Sequence, residues 1–217
     1  VLGRNLAARV FGIYKPVEPS DSRLPYLRTV AVAIIKASRR SSTYIDPVVI
    51  LLDAPDVINA FAAPGGFIFI TTGMLDFLKN EDELAFVLAH EVAHIELDHG
   101  LNAIKQNEGA KIFAESTSDE NGDRFFSAFQ DFAEIGFSQS LEGEADIRGV
   151  QIISELGYDF THGIEVIRRL EEITSRQHGT GYPNNRQELL RKGAQGKNIS
   201  AEAVESRKQR YRVAIQK

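Results

Sequence analysis

Two histidines and a glutamate are spaced for metal chemistry in the stretch Glu81–Gly100, which reads EDELAFVLAHEVAHIELDHG. His90 and His94 are four residues apart, so on a helix their side chains would lie one turn apart on the same face. Two imidazoles in that arrangement can bind one metal ion, and Glu91 is placed to reach a water molecule on that ion. The H-E-x-x-H spacing therefore predicts a zinc site of the kind found in proteases.

A second acidic pair, Glu142 and Asp146, supplies a candidate third ligand within a predicted helix, Ser138–Leu156. A His, His, Glu set leaves the fourth position of a zinc ion open to water. Asp146 lies one turn further and could accept a hydrogen bond from the free nitrogen of a ligating histidine. The alternative is that both are ordinary acids of a helix surface. The small and apolar Gly149 and Ile153 on the same face instead favour packing on another helix.

The helix that carries the histidines is predicted to be buried. Asn80 can cap its N-terminus, and Glu83 three residues later completes a capping-box arrangement. Residues 84–93 are apolar apart from His90 and Glu91, and a helix that is apolar nearly all round belongs in a core. Polar groups in such a helix need a specific partner, which favours a functional site over a chance motif.

Composition limits the alternatives. The chain has 217 residues, with 43% hydrophobic and 25% charged residues, as expected of one globular domain. Its net charge of −5 argues against nucleic-acid binding, and the absence of cysteine excludes a thiolate zinc site. No apolar run is long enough to span a bilayer. The chain starts at Val1 rather than Met, so we expect an N-terminal piece, such as a signal or anchor, to have been removed.

The periodicity predicts an α+β fold, mostly helical, with a small sheet of about three strands beside the metal-binding helix. The expected strands are Val48–Leu52, Asn59–Ala63 and Phe67–Thr71, and the expected helices cover 1–15, 24–38, 73–79, 81–114, 138–156, 161–174 and a segment from Ser200. We predict one domain over 1–217, with N-terminal helices in 1–45, the core and metal site in 46–175, and a C-terminal loop and basic tail in 176–217. Such a tail is most often a solvated surface, and peripheral membrane contact is the alternative.

Four segments resemble one known family. They are NAFAAPGGFIFITTGML (59–75), ELAFVLAHEVAHIELDH (83–99), SQSLEGEADIRGVQII (138–153) and GYD (157–159). In this order they resemble the zinc metallopeptidases that include the CAAX prenyl protease and the heat-shock protease HtpX. The chain is most similar to the soluble, exported branch, which includes periplasmic assembly-quality-control proteases.

The resemblance implies a zincin-like fold and one zinc ion per chain, bound by His90, His94 and Glu142. It implies that Glu91 is the general base and that Asp146 supports His90. It further implies that the strand Phe67–Thr71 forms the sheet edge beside the cleft, where an extended peptide can add as a strand. The substrate-binding residues expected there are Asn59, Phe61, Gly65, Gly66, Phe67 and Phe69.

One position departs from the family pattern. Many members carry a His-Pro near the C-terminal end, whose histidine stabilises the oxyanion, whereas this chain has Tyr182-Pro183. Tyr182 or His178 could donate a hydrogen bond to the oxyanion instead, and Arg186 is a further electropositive candidate. His99 lies five residues after His94, off the ligand face, and is interpreted as structural.

The sequence thus predicts a zinc metalloendopeptidase that cleaves unfolded or misassembled polypeptides, in the bacterial periplasm or at a membrane. The alternative is a latent, zinc-bearing chaperone or assembly factor for envelope proteins, with its cleft blocked by residues 106–137. That region includes a polar segment, 115–123, which we expect to be an exposed loop, and a segment with five phenylalanines, 125–137. A helical domain without metal, carrying the motif by chance, is the remaining possibility.

Overall fold

The computed structural model describes residues 2–38, 48–63, 65–102, 137–178, 186–194 and 199–216. In chain order the elements are α1 (Leu2–Ile13), α2 (Leu24–Ala37), β1 (Val48–Leu52), β2 (Ala60–Ala63), β3 (Phe67–Thr71), α3 (Thr72–Phe77), α4 (Glu81–Glu96), α5 (Gln139–Glu155), α6 (Thr161–His178), α7 (Arg186–Gly193) and α8 (Ala201–Ile215). The predicted α+β class is confirmed. The expected helix beyond residue 102, the polar segment 115–123 and all but the last residue of 125–137 lie outside the described residues.

The three strands form a mixed sheet in the order β1-β3-β2. β3 pairs in parallel with β1 and antiparallel with β2, so it is the central strand. The prediction that Phe67–Thr71 forms the sheet edge is therefore wrong. Its sequence, FIFIT, is an apolar run without alternation, which is typical of a strand buried on both faces. Within the described residues, β2 is the edge strand that lies against α4.

The hairpin between β2 and β3 is confirmed as predicted. Gly65 and Gly66 have φ values of 96° and 89°, a region that residues with a Cβ atom rarely adopt. Two consecutive glycines therefore allow the tight reversal that sets β2 beside β3 in antiparallel register.

α4 lies in the middle of the molecule, as its sequence predicts. The Asn80 side chain accepts a hydrogen bond from the Glu83 amide at 2.9 Å, and the Glu83 carboxylate accepts one from the Lys79 amide at 2.8 Å. All residues of α4 from Glu81 to Ala89 are buried, and the helix contacts α2, α5, α6, α8 and the sheet. The two histidines and Glu91 are thus carried by the most enclosed element described.

A glycine sets the distance between α4 and α5. A Cβ atom on Gly149 would lie 3.2 Å from the His90 backbone nitrogen and 3.3 Å from its Cα atom, closer than ordinary van der Waals contact. Since those neighbours are backbone atoms of a buried helix, they cannot move aside cheaply. Gly149 therefore permits the close approach that brings Glu142 and Asp146 to the histidines.

The first turn of α4 is fastened by arginines from later in the chain. Arg207 donates to both carboxylate oxygens of Asp82 at 2.8 Å, Arg210 bonds Glu81 in the same two-pronged manner, and Arg169 pairs with Glu83. The sequence suggested that the basic tail is a solvated surface. These contacts show that part of it is instead packed against α4. Its helix α8 packs on α4, with Tyr211 fully buried.

Among the helices that the structure describes, none has both the length and the hydropathy needed to cross a bilayer.

The Arg207–Asp82 pair yields a stability prediction. Asp82 is fully buried and also accepts a hydrogen bond from the Asp159 amide, so Arg207→Met would leave a buried carboxylate without its counter-charge. We expect the free energy of unfolding, measured by urea titration, to fall by about 3–5 kcal/mol. The control is Arg168→Met, since Arg168 is exposed and pairs with Glu165 and Glu172 at the surface. Equal urea midpoints for the two variants would show that the Asp82 pair does not hold α8 to α4.

Candidate metal centre

Three side chains from two helices meet at one point. His90 Nε2 lies 3.0 Å from His94 Nε2 and 3.4 Å from a Glu142 carboxylate oxygen. His94 Nε2 lies 3.7 Å from the other carboxylate oxygen of Glu142. The structure thus brings together the three residues expected to hold the metal. Among the described residues, they are the group whose spacing could hold an ion.

The spacing of these donor atoms fits a zinc ion. Ligands about 2.0–2.1 Å from a tetrahedral centre lie about 3.3–3.4 Å from one another, close to the separations seen here. Two imidazole nitrogens and a carboxylate oxygen are a donor set that zinc accepts. Moreover, neutral imidazoles whose Nε2 lone pairs face each other at 3.0 Å repel unless a proton or a cation lies between them.

Asp146 and Arg186 form a second layer behind His90. Asp146 Oδ1 lies 3.0 Å from His90 Nδ1, on the side of the ring away from the donor cluster. Arg186, the first residue of α7, donates to both Asp146 oxygens at 2.7 and 2.8 Å and lies 3.4 Å from Glu142. Asp146 is 0% exposed, so these contacts replace the solvent that its charge would otherwise require.

The charges of this cluster shift one another's pKa values. Burial disfavours the charged forms of His90, Glu142 and Asp146, but their mutual attraction outweighs it. The neighbouring carboxylates of Asp146 and Glu142 raise the pKa of His90 to about 10. In return His90 lowers the pKa of Glu142, and Arg186 together with His90 lowers that of Asp146. Both carboxylates therefore remain ionised, as metal ligation and its support require.

Glu91 lies between the donor cluster and the edge strand. It is 7% exposed, and burial raises its pKa to about 8. The positive charge of His90 opposes that rise, as does an interaction with the backbone of Ala62 in β2. A carboxylate with a pKa near neutrality can both accept and release a proton at physiological pH.

Main-chain groups form the side of β2 that has no neighbouring strand among the described residues. The Thr71 amide donates to the Asn59 carbonyl, so Asn59, Phe61 and Ala63 exchange hydrogen bonds with β3. Ala60 and Ala62 then direct their main-chain groups away from β3, on the side where the Ala62 backbone meets Glu91. Their small side chains belong to the core cluster around α4, which lets the strand lie close to the helix.

The aromatic side chains expected to bind substrate point to the face of the sheet away from α4. Phe61 and Phe69 are buried and stacked, with ring centroids 5.0 Å apart, and Phe67 stacks on Phe69 at 6.3 Å. They pack against α1 in a second apolar cluster, on the face of the sheet opposite α4. Asn59 contributes backbone pairing, and Gly65 and Gly66 form the hairpin turn. The role of all six residues in substrate binding stays a prediction.

The two residues proposed for the oxyanion are not placed by the structure. Tyr182 lies outside the described residues. His178 is the last residue of α6, but its side chain is not among those described. Arg186, by contrast, is described and pairs with Asp146. The sequence offered no signal for this contact, because the partners lie 40 residues apart and α7 was not predicted.

Comparison with known proteins agrees with the geometry. The model of Peptidase family M48 matches residues 21–193, which include all the residues of the donor cluster and its second layer. The mitochondrial metalloendopeptidase OMA1 of Bos taurus is 31% identical over 174 residues, which are 73% of this chain and 33% of the bovine protein. OMA1 of Schizosaccharomyces pombe is 34% identical over 104 residues, covering 46% of this chain and 31% of the relative.

A bacterial relative is also similar. The beta-barrel assembly-enhancing protease of Yersinia pestis is 32% identical over 117 residues, covering 48% of this chain and 24% of the relative. The chain spans about a quarter to a third of the length of these relatives. The family match covers most of the chain and contains the H-E-x-x-H helix and the acidic helix packed on it. The chain therefore belongs to Peptidase family M48.

Proposed function

We propose that this chain is a zinc-dependent metalloendopeptidase. The observation that carries the proposal is the convergence of His90, His94 and Glu142 at zinc-ligand spacing beside the buried carboxylate of Glu91. Membership of a peptidase family supports the same reaction class. A zinc ion held there would supply Lewis acidity, which polarises a carbonyl group and makes a water molecule easier to deprotonate.

Glu91 is the proposed general base. It accepts a proton from the attacking water as the new C–O bond forms and then delivers that proton to the leaving amine as the C–N bond breaks. Burial raises its pKa, which makes its carboxylate a stronger base than that of an exposed glutamate. The backbone contact with Ala62 holds the carboxylate next to the strand where the substrate is expected.

Asp146 and Arg186 are the proposed positioning residues. Asp146 faces Nδ1 of His90 and thereby keeps Nε2 free to act as a ligand. Arg186 fixes Asp146 with two hydrogen bonds, and its charge lies near Glu142 as well. For the oxyanion, Tyr182 and His178 remain the proposed donors, on the basis of the family pattern.

The substrate is proposed to be an extended polypeptide that adds to β2. Strand addition recognises main-chain groups, which predicts loose side-chain specificity and a preference for unfolded or misassembled proteins. The main-chain groups that face away from β3, and that we propose as the contacts, are the N–H and C=O groups of Ala60 and the C=O group of Ala62. This replaces the edge proposed at Phe67–Thr71, which the sheet order excludes.

The compartment and natural substrates are proposed by similarity. One relative is named for beta-barrel assembly and others for the mitochondrion. We propose that the chain acts outside the cytoplasm, in a bacterial periplasm or at a membrane surface, on envelope proteins that fail to assemble.

The direct test is Glu91→Gln. The substitution keeps the side-chain size and the three zinc-binding residues but removes the base. We expect equal zinc content in the two proteins by mass spectrometry, and a loss of casein cleavage of at least about 100-fold, since general-base catalysis contributes about 10²–10⁴-fold. Glu172→Gln, on the exposed side of α6, is the matched control and should cleave at the wild-type rate.

Two outcomes would contradict the proposal. Absence of zinc from the wild-type protein would overturn the metal site. Zinc in both proteins with cleavage in neither would overturn the protease and favour the latent chaperone or assembly factor instead.

Substrate binding by strand addition is tested with N-methylated peptides. The carbonyls of Ala60 and Ala62 are two residues apart, so they would accept from amides two residues apart in the peptide. Methylating those amides should lower kcat/KM about fivefold each, since one such hydrogen bond is worth about 1 kcal/mol. Methylation of the intervening amide should have a smaller effect, and alanine substitution along the peptide serves as the control. A value of kcat/KM that depends on one peptide side chain, and not on alternate amides, would contradict strand addition to β2.

A further inference from the structure

The two histidines of the donor cluster are supported by different kinds of partner. His90 faces the carboxylate of Asp146 through its Nδ1 atom. The Nδ1 atom of His94 instead lies 2.9 Å from Nδ1 of His99. His99 is 2% exposed, so water does not compete for this contact. An imidazole therefore occupies the place behind His94 that a carboxylate takes behind His90.

This contact depends on how α4 ends. On a continuous helix, a residue five positions after His94 would point about 140° away from it. The regular helix ends at Glu96, and Asp98 has a φ of 55°, in the left-handed region that few residues other than glycine adopt. This reversal turns His99 back towards His94. It explains why helical periodicity placed His99 off the ligand face.

Ligation at His94 fixes the protons of the pair. If Nε2 of His94 donates its lone pair to a metal ion, its Nδ1 atom carries the proton in the neutral ring. That N–H can donate to His99 only if Nδ1 of His99 carries none, so the proton of His99 is on Nε2. This Nε2 atom lies 3.7 Å from the Glu144 carboxylate, which is 56% exposed.

Phe137 holds the same ring from another side. Its ring stacks on that of His94 with centroids 4.4 Å apart and planes 24° apart. Its backbone amide donates to a carboxylate oxygen of Glu142 at 3.0 Å. The stacked ring restricts tilting of His94 but offers no acceptor to Nδ1. His99 is therefore the described partner that can select which nitrogen of His94 carries the proton.

We propose that His99 is a positioning residue for zinc binding, which accepts a hydrogen bond from Nδ1 of His94 and thereby presents Nε2 to the ion. The proposal rests on the proposed function, because it requires His94 to bind zinc. The rival explanation is that His99 only fills space between α4 and its neighbours. The two explanations predict opposite orders of zinc affinity for His99 substitutions that keep the acceptor and those that keep the volume.

Two variants separate acceptor chemistry from packing. In His99→Asn the Oδ1 atom, bonded to Cγ as Nδ1 is in histidine, preserves the acceptor but loses volume. In His99→Phe the ring volume is preserved but the acceptor is lost. His99→Leu, which also lacks an acceptor, is made in parallel in case the phenyl ring prevents folding. Glu144→Gln is the control for the contact between Nε2 of His99 and the exposed Glu144 carboxylate.

The measurement is the zinc dissociation constant, obtained by competition with a chromogenic chelator. Circular dichroism of the metal-free proteins checks that each variant is folded. We expect His99→Phe and His99→Leu to bind zinc about 10–100-fold more weakly, the range typical of lost partners of metal-ligating histidines. His99→Asn and Glu144→Gln should remain within about threefold of wild type. The visible spectrum of the cobalt-substituted protein should change in the same order.

The outcomes are distinct. Weaker zinc binding by His99→Asn than by His99→Phe would overturn the positioning role and leave packing as the explanation. Equal dissociation constants in all variants, with tight binding by wild type, would overturn the His99 role while leaving the proposed function intact. Failure of the wild-type protein to bind zinc would overturn both.

Discussion

The contact between α4 and α5 is the constraint on which the site depends. Gly149 lets the two helix backbones approach so closely that side chains from both can reach one point. α4 supplies two imidazoles and the proposed base, and α5 supplies the proposed carboxylate ligand and the carboxylate behind His90. A larger residue at position 149 would separate these two half-sites. Neither helix carries a complete donor set, so the chemistry belongs to the contact and not to the H-E-x-x-H motif alone.

Each of the many charged groups buried in this core requires an oppositely charged partner. Arg207 and Arg169 match acids at the start of α4, Arg148 donates to Glu96 at its end, and Arg186 matches Asp146. A buried ion pair contributes little net stability compared with apolar packing, but the loss of one partner is expensive. These pairs therefore fix where α4 lies rather than making the protein unusually stable. The geometry of the site is held by segments as distant in sequence as α8.

Much of the fold and of the donor cluster could be predicted from the sequence, because it depends on local periodicity. The i, i+4 spacing of His90 and His94, the Asn80 cap and the paired acids of α5 are readable from a few neighbouring residues. The order of the strands was not readable in this way, since the same runs fit either β1-β3-β2 or another order. The apolar character of FIFIT was the one signal for a central strand, whereas the family resemblance implied an edge strand.

The Asp146 contact with His90 was predicted, but two other contacts of the site residues lay beyond prediction for a different reason. The bond from Arg186 to Asp146 joins residues 40 positions apart, and no pattern in a single sequence marks such a pair. Helical periodicity gave no sign of the contact between His99 and His94, because that contact depends on one left-handed residue, Asp98, that breaks the helix. Backbone reversals of this kind in residues other than glycine leave little trace in composition.

X-ray absorption at the zinc edge tests the central claim most directly, since it counts the imidazole ligands of the bound metal. The account predicts one zinc ion per chain with two imidazole nitrogens and carboxylate oxygen at about 2.0–2.2 Å. It predicts one imidazole fewer, or no zinc, in His94→Ala. It predicts an unchanged spectrum in His162→Ala, since His162 contacts the Asn80 side chain rather than the donor cluster. A zinc spectrum without imidazole scattering, or one that His94→Ala leaves unchanged, would contradict it.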